Sequence, residues 1–440
     1  MPNVASRSLS LHRALTFYDS FTTTDDLIGY VMVGRNLVWP GGDVPPAIYD
    51  TENTRFDTCN NFFGGKKITG NDVFLVIPRV NWTSGVVWTQ YDDTSNTQHS
   101  SANSLYIYSS GGNVYKCLSN ANGAISTIEP ANNYTSDSGF IAPGDGYLWK
   151  YMYKVPTSSK FLTSAWMPVP TYQTPAYFGY ANNLIIGAIS RLVLTAGGSG
   201  YYSTNTTITV TGSGMAGNVT ATVANGSVTA IQLVNRGSGY IRQNTSITVV
   251  GVGANAAIRT ILSPYGGHGF NPARELGANS VMVSVKVGDV DSTEGGNITA
   301  NNDFRQVGLW LAPHQYGSAS GVASANANAS VTMATQIILS AGPSYLADEL
   351  VYQGGAVANA RFSGYVTDMF TNAIQITGRL GAPKIGDVLF GVTSGTARTI
   401  VSFTNPDLDV ESGDLAYTEN RVPVLRGVGQ AEWIKIVLRF

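Results

Sequence analysis

GSGYYSTNTTITVTGSG at 198–214 and GSGYIRQNTSITVVGVG at 237–253 are two copies of one phrase, identical at eleven of seventeen positions. Each copy places a glycine-rich turn, a tyrosine and a polar turn ahead of a run in which Ile208 and Val210, or Ile247 and Val249, alternate with polar neighbours. A side-chain period of two marks a strand with one covered face. Between the copies, VTATVANGSVTAIQLV (219–234) reads as two more strands joined by an Asn-Gly turn. Two copies are too few for a solenoid, whose units need stacked neighbours. The reading is a small pseudo-symmetric β-barrel or sandwich over 188–264, inserted into a host domain.

The β character extends along the chain. Residues 315–404 open with the low-complexity GSASGVASANANAS (317–330), read as a loop, and continue in strand-like runs TQIILS (335–340), AIQITG (373–378) and DVLFGVTSGTARTIVSF (387–403). They form a second inserted β-module. The host is then 1–187, mixed but mostly β, continued by 265–314 and completed by strands in 405–440. WIKIVLRF (433–440) is a strand with Ile434, Ile436, Leu438 and Phe440 on one face and Trp433, Lys435 and Arg439 on the other. LYIY (105–108), SSGGN and VYKCL (114–118) spell a hairpin.

Helix is confined to two short stretches. In 9–19, Leu11, Ala14, Leu15 and Tyr18 share a face. In 50–63, Asp50 or Thr51 caps the start, Phe56, Cys59, Phe62 and Phe63 form the buried stripe, and Gly64-Gly65 supplies the stop. The fold class is therefore mainly β: a multi-domain β-sandwich host with few short helices and two inserted small β-modules.

Composition agrees. Charged residues make up 12% of the chain, aromatics 10%, and glycine fills 49 positions, the reverse of a disordered balance. A net charge of −2 gives no electrostatic reason to bind nucleic acid or acidic lipid. The N-terminus lacks a signal-type apolar run and no later stretch approaches a membrane span, so the expectation is a soluble protein made in the cytoplasm. Cys59 and Cys117 lie far apart and are expected to be reduced and buried. Asn81, Asn205 and Asn244 sit in glycosylation-type triplets that a Thr- and Asn-rich β-protein produces by chance.

Each candidate for chemistry meets a plainer explanation. GSGMAG (212–217) matches the dinucleotide pattern G-x-G-x-x-G, but that site needs a helix starting at the glycines, and NVTATVANG alternates as a strand. Asp289, Asp291, Glu294 and Asn297 in GDVDSTEGGN offer the hard oxygens calcium takes, yet their spacing breaks the EF-hand pattern and Gly295-Gly296 reads as a hairpin tip. His12, His99, His268 and His314 include no pair at metal-ligand spacing. His268 lies in the turn PYGGHGFNP, where an imidazole commonly bonds backbone. Side chains of the adjacent pairs Asp25-Asp26 and Asp92-Asp93 diverge in extended chain, so neither pair can flank a scissile bond. No catalytic, cofactor or metal residue is assigned. In YLWKYMY (147–153), Tyr147, Trp149, Tyr151 and Tyr153 line a core face, while Leu148, Lys150 and Met152, with Lys154, face solvent or a neighbouring subunit; a sugar-stacking platform is the alternative.

An ordered set of motifs runs through the host segments. YVMVGRNLVW (30–39), LVIPRVNW (75–82), VYKCL (114–118), IEP (128–130) and PGDGYLWKYMYKVP (143–156) come first. DFRQVGLW (303–310), GDLAYTENRVPV (413–424) and the terminal WIKIVLRF follow. In this order they resemble the baseplate wedge protein eight family of T-even-like contractile-tailed phages. The resemblance covers the first 160 or so residues and the segments near 265–314 and 405–440; the modules 188–264 and 315–404 have no counterpart in the short form of that family.

The resemblance implies a non-enzymatic structural subunit that forms a homodimer within each wedge, contacts other wedge proteins around the tail hub and moves as a rigid body on tail contraction. Its matched positions are Gly34, Arg35, Trp39, Pro78, Arg79, Trp82, Asp145, Gly146, Trp149, Arg305, Gln306, Glu419, Asn420 and Arg421. Gly144 and Gly146 around Asp145 suit a tight turn. The four arginines can grip carboxylates or backbone carbonyls, with Glu419 a candidate partner for one of them. These residues are expected to fix the fold more than to form interfaces. The rival readings are a glycan-binding adhesin or tail-fibre component, supported by the Tyr- and Gly-rich composition and the repeat, and a polysaccharide-degrading enzyme, for which no motif marks the two carboxylates required.

Overall fold

The computed structural model describes residues 6–23, 27–99, 103–131, 140–171, 185–288, 298, 302–318 and 330–440. Asp25-Asp26, the acidic loop with Asp289, Asp291, Glu294 and Asn297, and residues 319–329 lie outside them. The chain is mainly β and divides into two compact units: residues 1–15, 74–281 and 438–440, and residues 16–73 and 282–437. Strands and helices are numbered along the chain.

In the first unit, β4 (Tyr106–Tyr108), β5 (Asn113–Asn120), β6 (Phe140–Ile141) and β7 (Tyr147–Lys154) form a sheet in the order β4-β5-β7-β6. The first pair is the hairpin read from LYIY and VYKCL, with Ile107 opposite Tyr115. Its core is aromatic: Trp88, Tyr115, Tyr147, Trp149 and Tyr151 pack with Ile107 and Cys117. Both faces of β7 are covered, since Lys150 and Met152 are as buried as Trp149. This corrects the expectation that their face looks to solvent or a subunit; Lys150 instead turns its ammonium to the Phe140 ring, 5.1 Å away. β3 (Val73–Pro78) pairs with β8 (Trp166–Pro168).

Residues 189–262 of this unit form three antiparallel ribbons: β9 (Ile189–Ser199) with β14 (Ala254–Leu262), β10 (Thr207–Thr211) with β13 (Ser246–Val250), and β11 (Met215–Ala224) with β12 (Ser227–Ser238). The repeat dictates this arrangement. Thr209 on β10 stands opposite Thr248 on β13, its own counterpart in the other copy. Ser199 opposite Ala254 is likewise matched by Ser238 opposite Met215. A pseudo-two-fold axis therefore passes through the Thr209/Thr248 pair.

Each repeat tyrosine crosses to the other copy. A Cβ on Gly214 would lie 2.4 Å from the Tyr240 ring, and one on Gly253 would lie 2.4 Å from the Tyr201 ring, so only glycine lets each ring approach. The tyrosine oxygens then accept from Gly217 N at 3.1 Å and Ala256 N at 3.4 Å. The module is not one closed barrel: three separate ribbons are locked by rings on glycines and pack Leu192, Val210 and Leu233 against Ile189, Tyr240 and Leu262. The strands carry too few large apolar side chains to fill a closed sheet.

In the second unit, β1 (Gly29–Gly34), β2 (Phe62–Lys67), β16 (Phe304–Leu311), β17 (Ser330–Thr332) and β24 (Asp414–Val424) form a sheet ordered β17-β2-β1-β16-β24. Helix α2 (Glu52–Asn61) starts at Thr51, whose side chain accepts from Thr54 N, as the sequence suggests. It ends at Asn61, and Gly64-Gly65 is not its stop: both glycines continue in β2. The reason is close approach, because a Cβ on Gly65 would lie 2.2 Å from Met32 Sδ on β1. Cys59 from the helix and Phe62 from the strand join Tyr30, Met32 and Trp310 in the core; Phe56 is only half-buried.

Further along, β18 (Thr335–Leu339), β19 (Leu350–Gln353), β20 (Phe362–Met369), β21 (Ala373–Gly381), β22 (Val388–Gly391) and β23 (Ala397–Thr404) close into a barrel ordered β18-β21-β20-β19-β22-β23. Ile337, Val351, Phe362, Val366, Ile374, Ile376, Leu389 and Ile400 fill it. β25 (Ala431–Arg439) lies beside β15 (Ser280–Gly288), with Ile434 and Ile436 buried and Trp433 exposed as the alternation requires. Helices α1 (Arg7–Thr22) and α3 (Pro272–Glu275) complete the set, and no helix among the described residues is long and apolar enough to cross a membrane.

Candidate functional site

The motif residues gather at two places, one in each unit. In the second unit, strand register brings Gly34 opposite Gln306, and Gln306 opposite Asn420. Gly34 admits no side chain, since a Cβ there would meet Asn61 O at 2.3 Å. Arg35 follows with φ +57°, in the left-handed region, and lays its guanidinium 4.0 Å over the Trp39 ring. Trp39 Nε1 donates to Arg421 O at 3.0 Å, and Gln306 Nε2 donates to Asn420 Oδ1 at 2.9 Å. Arg305 is buried and pairs with Asp303 at 2.7 Å while donating to Asn36 O. Glu419 finds Arg421, at 3.5 Å and half exposed, which answers the pairing left open by the sequence.

In the first unit, Asp145 is the organiser. Its Oδ2 accepts from Ser126 Oγ, Thr127 N and Ile128 N at 3.0–3.2 Å, and its Oδ1 from Tyr147 N at 3.2 Å. Burial alone would raise its carboxyl, but these donors outweigh it and hold the group below its ordinary value. Gly146, at φ +85°, makes the turn into β7. Trp82 Nε1 donates to the same Ser126 Oγ at 3.2 Å, and Trp149 stacks on Tyr147 with centroids 5.5 Å apart. Arg79 lies 4.6 Å over the Tyr108 ring and donates to Thr163 O, while Pro78 O accepts from Tyr106 OH at 2.9 Å. Nearly every one of these contacts joins one strand or turn to another.

A second polar constellation, unseen in the sequence, lies buried in the first unit. Lys116 Nζ on β5 stands 2.9 Å from Glu275 Oε2 on α3 and 3.2 Å from His268 Nδ1, and 4.1 Å over the Tyr91 ring. His268 Nε2 lies 2.7 Å from Ser190 Oγ. Thus His268 bonds side chains, not the backbone expected of a glycine-rich turn, because the turn carries it into a site already holding an ion pair. Burial raises the Glu275 carboxyl, but Lys116 and His268 together outweigh it and hold it at about 2. Burial, reinforced by Lys116, pushes the His268 imidazole down to about 4, so the ring is neutral at pH 7.

Serine, histidine and glutamate in this order resemble a nucleophilic triad. Burial argues otherwise, since Ser190 is 2% and His268 4% exposed and a serine nucleophile must reach its substrate. The ring proton has two acceptors to choose between: on Nε2 it faces Ser190 Oγ while Nδ1 accepts from Lys116, and on Nδ1 it faces Glu275 Oε2 at 3.5 Å. What this cluster can do is tie β5, β9, the turn at 264–271 and α3 together; Glu275 Oε1 adds an acceptor for Gly269 N at 2.8 Å.

The adjacent acids Asp92 and Asp93 do diverge, and each grips the ribbon module. Asp92 pairs with Arg259 at 2.6 Å, and Asp93 Oδ2 accepts from Leu262 N at 2.9 Å and from Arg242. Arg191 reaches Asp92 at 3.7 Å, and Arg236 lies 4.4 Å over the Phe140 ring. Arg191, Arg236, Arg242 and Arg259 are the only charged residues between 188 and 264. That one-signed charge was the available signal. Among the described residues no group of His, Cys, Asp and Glu side chains could hold a metal ion. GSGMAG (212–217) is a turn leading into β11, with no helix for a phosphate. No family model and no curated protein matches the chain.

Proposed function

We propose that this protein is a structural subunit of a contractile phage tail baseplate wedge, paired with itself as a homodimer, joined to other wedge proteins and carried in the virion. The observation that carries the reading is where the motif residues gather. Gly34, Arg35, Trp39, Arg305, Gln306, Asn420 and Arg421 come from three distant segments and lock one sheet, and Trp82, Asp145, Gly146 and Trp149 lock another. Their bonds run mostly to main chain, so they stiffen each unit against bending. Stiff β-units suit an assembly that stores a metastable arrangement and then rearranges by rigid-body motion.

In this reading the charge-poor module at 188–264 either adds lateral wedge contacts or presents a surface outward. The test is cross-linking mass spectrometry and electron cryo-microscopy of intact particles carrying this protein. The expected result is density at the distal plate of the tail, with self cross-links and links to neighbouring wedge proteins. Particles in which the protein is absent from the plate, or is found only along fibres, would refute the proposal.

A further inference from the structure

Two adjoining cavities in the first unit, of about 550 and 530 Å³, share Arg7, Gln98 and His99 as a common wall. Arg274, Tyr265 and Asn271 complete the first, and Arg439 lies in the lining of the second. Among the described residues Glu275 is the only carboxylate side chain lining either cavity, and its oxygens are already taken by Lys116 and Gly269 N. The side chains of Arg7, Arg274 and Arg439 have no hydrogen-bond or ion-pair partner among the described residues. The linings therefore carry positive charge that no side chain among the described residues neutralises. Helix α1 begins at Arg7, and its first-turn N–H groups add partial positive charge to the shared wall. His99 stays uncharged there, its imidazole pushed down to about 4 by burial and then by Arg7 and Lys116.

We propose that these cavities bind an acidic sugar chain, with a carboxylate or phosphate on Arg7 and Arg274 and a pyranose ring against Tyr265. Guanidinium forks fit planar or tetrahedral oxyanions bidentately. Tyr265 meets the Phe270 ring edge-on at 6.3 Å but is 86% exposed, an aromatic face left in water that the apolar face of a sugar would cover. Asn271 spends its Oδ1 on Arg274 N at 3.1 Å, which leaves its amide donors for a hydroxyl. Each cavity falls in the size range of small-ligand sites. Two in series, with Arg439 in the second, fit successive acidic residues of one chain. The inference stands apart from the wedge reading, because it concerns the isolated protein.

The test is calorimetry on the full-length protein with trigalacturonate, sialyllactose and mannose 6-phosphate, beside lactose, inorganic phosphate and adenosine monophosphate. Saturable binding is expected for at least one of the three acidic sugars, with lactose silent and phosphate weaker by about tenfold or more. Binding should fall by about tenfold or more in the Arg7→Gln, Arg274→Gln double variant. Tyr265→Ala should weaken the sugar and leave phosphate unchanged. All three side chains are exposed, so thermal unfolding of the variants should match that of the parent protein. The proposal is overturned if none of the three acidic sugars binds at millimolar concentration. It is equally overturned if lactose, phosphate or adenosine monophosphate binds as tightly as the best acidic sugar, or if the double variant binds unchanged.

Discussion

The ribbons at 189–262 and the barrel at 335–404 are both charge-poor and Gly-rich, yet they hold together in different ways. The barrel closes its sheet, leaves no strand edge and fills the interior with Phe362, Ile374, Ile376, Leu389 and their neighbours. The ribbons have open edges, and β10 and β13 alternate only between exposed and half-buried. Two tyrosines on glycines hold their middle, and their base is anchored outside them: Ile261 packs with Tyr91, Leu105 and Leu118, and Arg242 and Arg259 clasp Asp93 and Asp92. One module carries a full core of its own; the other has only the small cluster around Ile189, Tyr240 and Leu262 and borrows the rest.

The largest consequence concerns excised pieces. Residues 333–406 alone should unfold cooperatively, with near-ultraviolet dichroism and slow amide exchange. Residues 188–264 alone should show neither, because two-stranded ribbons sharing only the small cluster of Ile189, Tyr240 and Leu262 are at best marginal in water. A cooperative transition in the isolated ribbon piece would break the comparison outright.

Within the full chain, Phe362→Ala should lower the stability of the second unit by about 3–5 kcal/mol, the usual cost of emptying a large buried side chain. Phe362 is wholly buried at the centre of the barrel. Urea titration followed by exchange at barrel amides reads this directly. A loss under about 1 kcal/mol would mean that the barrel, too, leans on its surroundings.

Acid should separate the two regions next. His268 and His99 are each held at about 4 in the folded state, below an ordinary 6.5. Between those values the unfolded chain binds more protons than the folded one, so stability falls as pH falls. The loss begins near pH 6.5 and is complete near pH 4. Each histidine contributes about 1.4 kcal/mol per pH unit across that window. Glu275, held at about 2, adds a further loss only below pH 4.5. The first unit should therefore weaken by roughly 2–4 kcal/mol from pH 7.5 to 5.0. The barrel, with no histidine between 335 and 404, should stay level over the same range. His99→Gln should roughly halve the acid slope of the first unit.

How much of this was legible in the sequence follows from range. The Thr51 cap, the LYIY/VYKCL hairpin, the alternation in WIKIVLRF and the mainly β class rest on neighbours within a few residues, and the structure agrees. Gly64-Gly65 misled because a glycine that ends a helix and one that admits a neighbouring strand look alike until Met32 is seen against Gly65. The His268 cluster was hidden for a similar reason. Lys116, Ser190, His268 and Glu275 are unremarkable singly, and only the folding of four separate segments makes them one site. Lys150 hid behind the habit that lysine faces water.

The smallest test is also the most discriminating. The Asp93 side chain is 2% exposed and accepts from Leu262 N and Arg242, so Asp93→Ala leaves a buried amide without its acceptor and should cost about 1–3 kcal/mol. The Lys384–Asp387 pair of the second unit has similar chemistry at 3.2 Å, but both side chains are about half exposed. Asp387→Ala should cost no more than about 0.5 kcal/mol, since water competes for both partners. If borrowed anchoring is the right account, the Asp93 loss should appear as faster exchange across β9 and β14 before the aromatic sheet around Trp149 is touched. Equal losses at the two aspartates, or an Asp93 effect spread evenly over the first unit, would mean that the ribbons are an ordinary part of that unit's core.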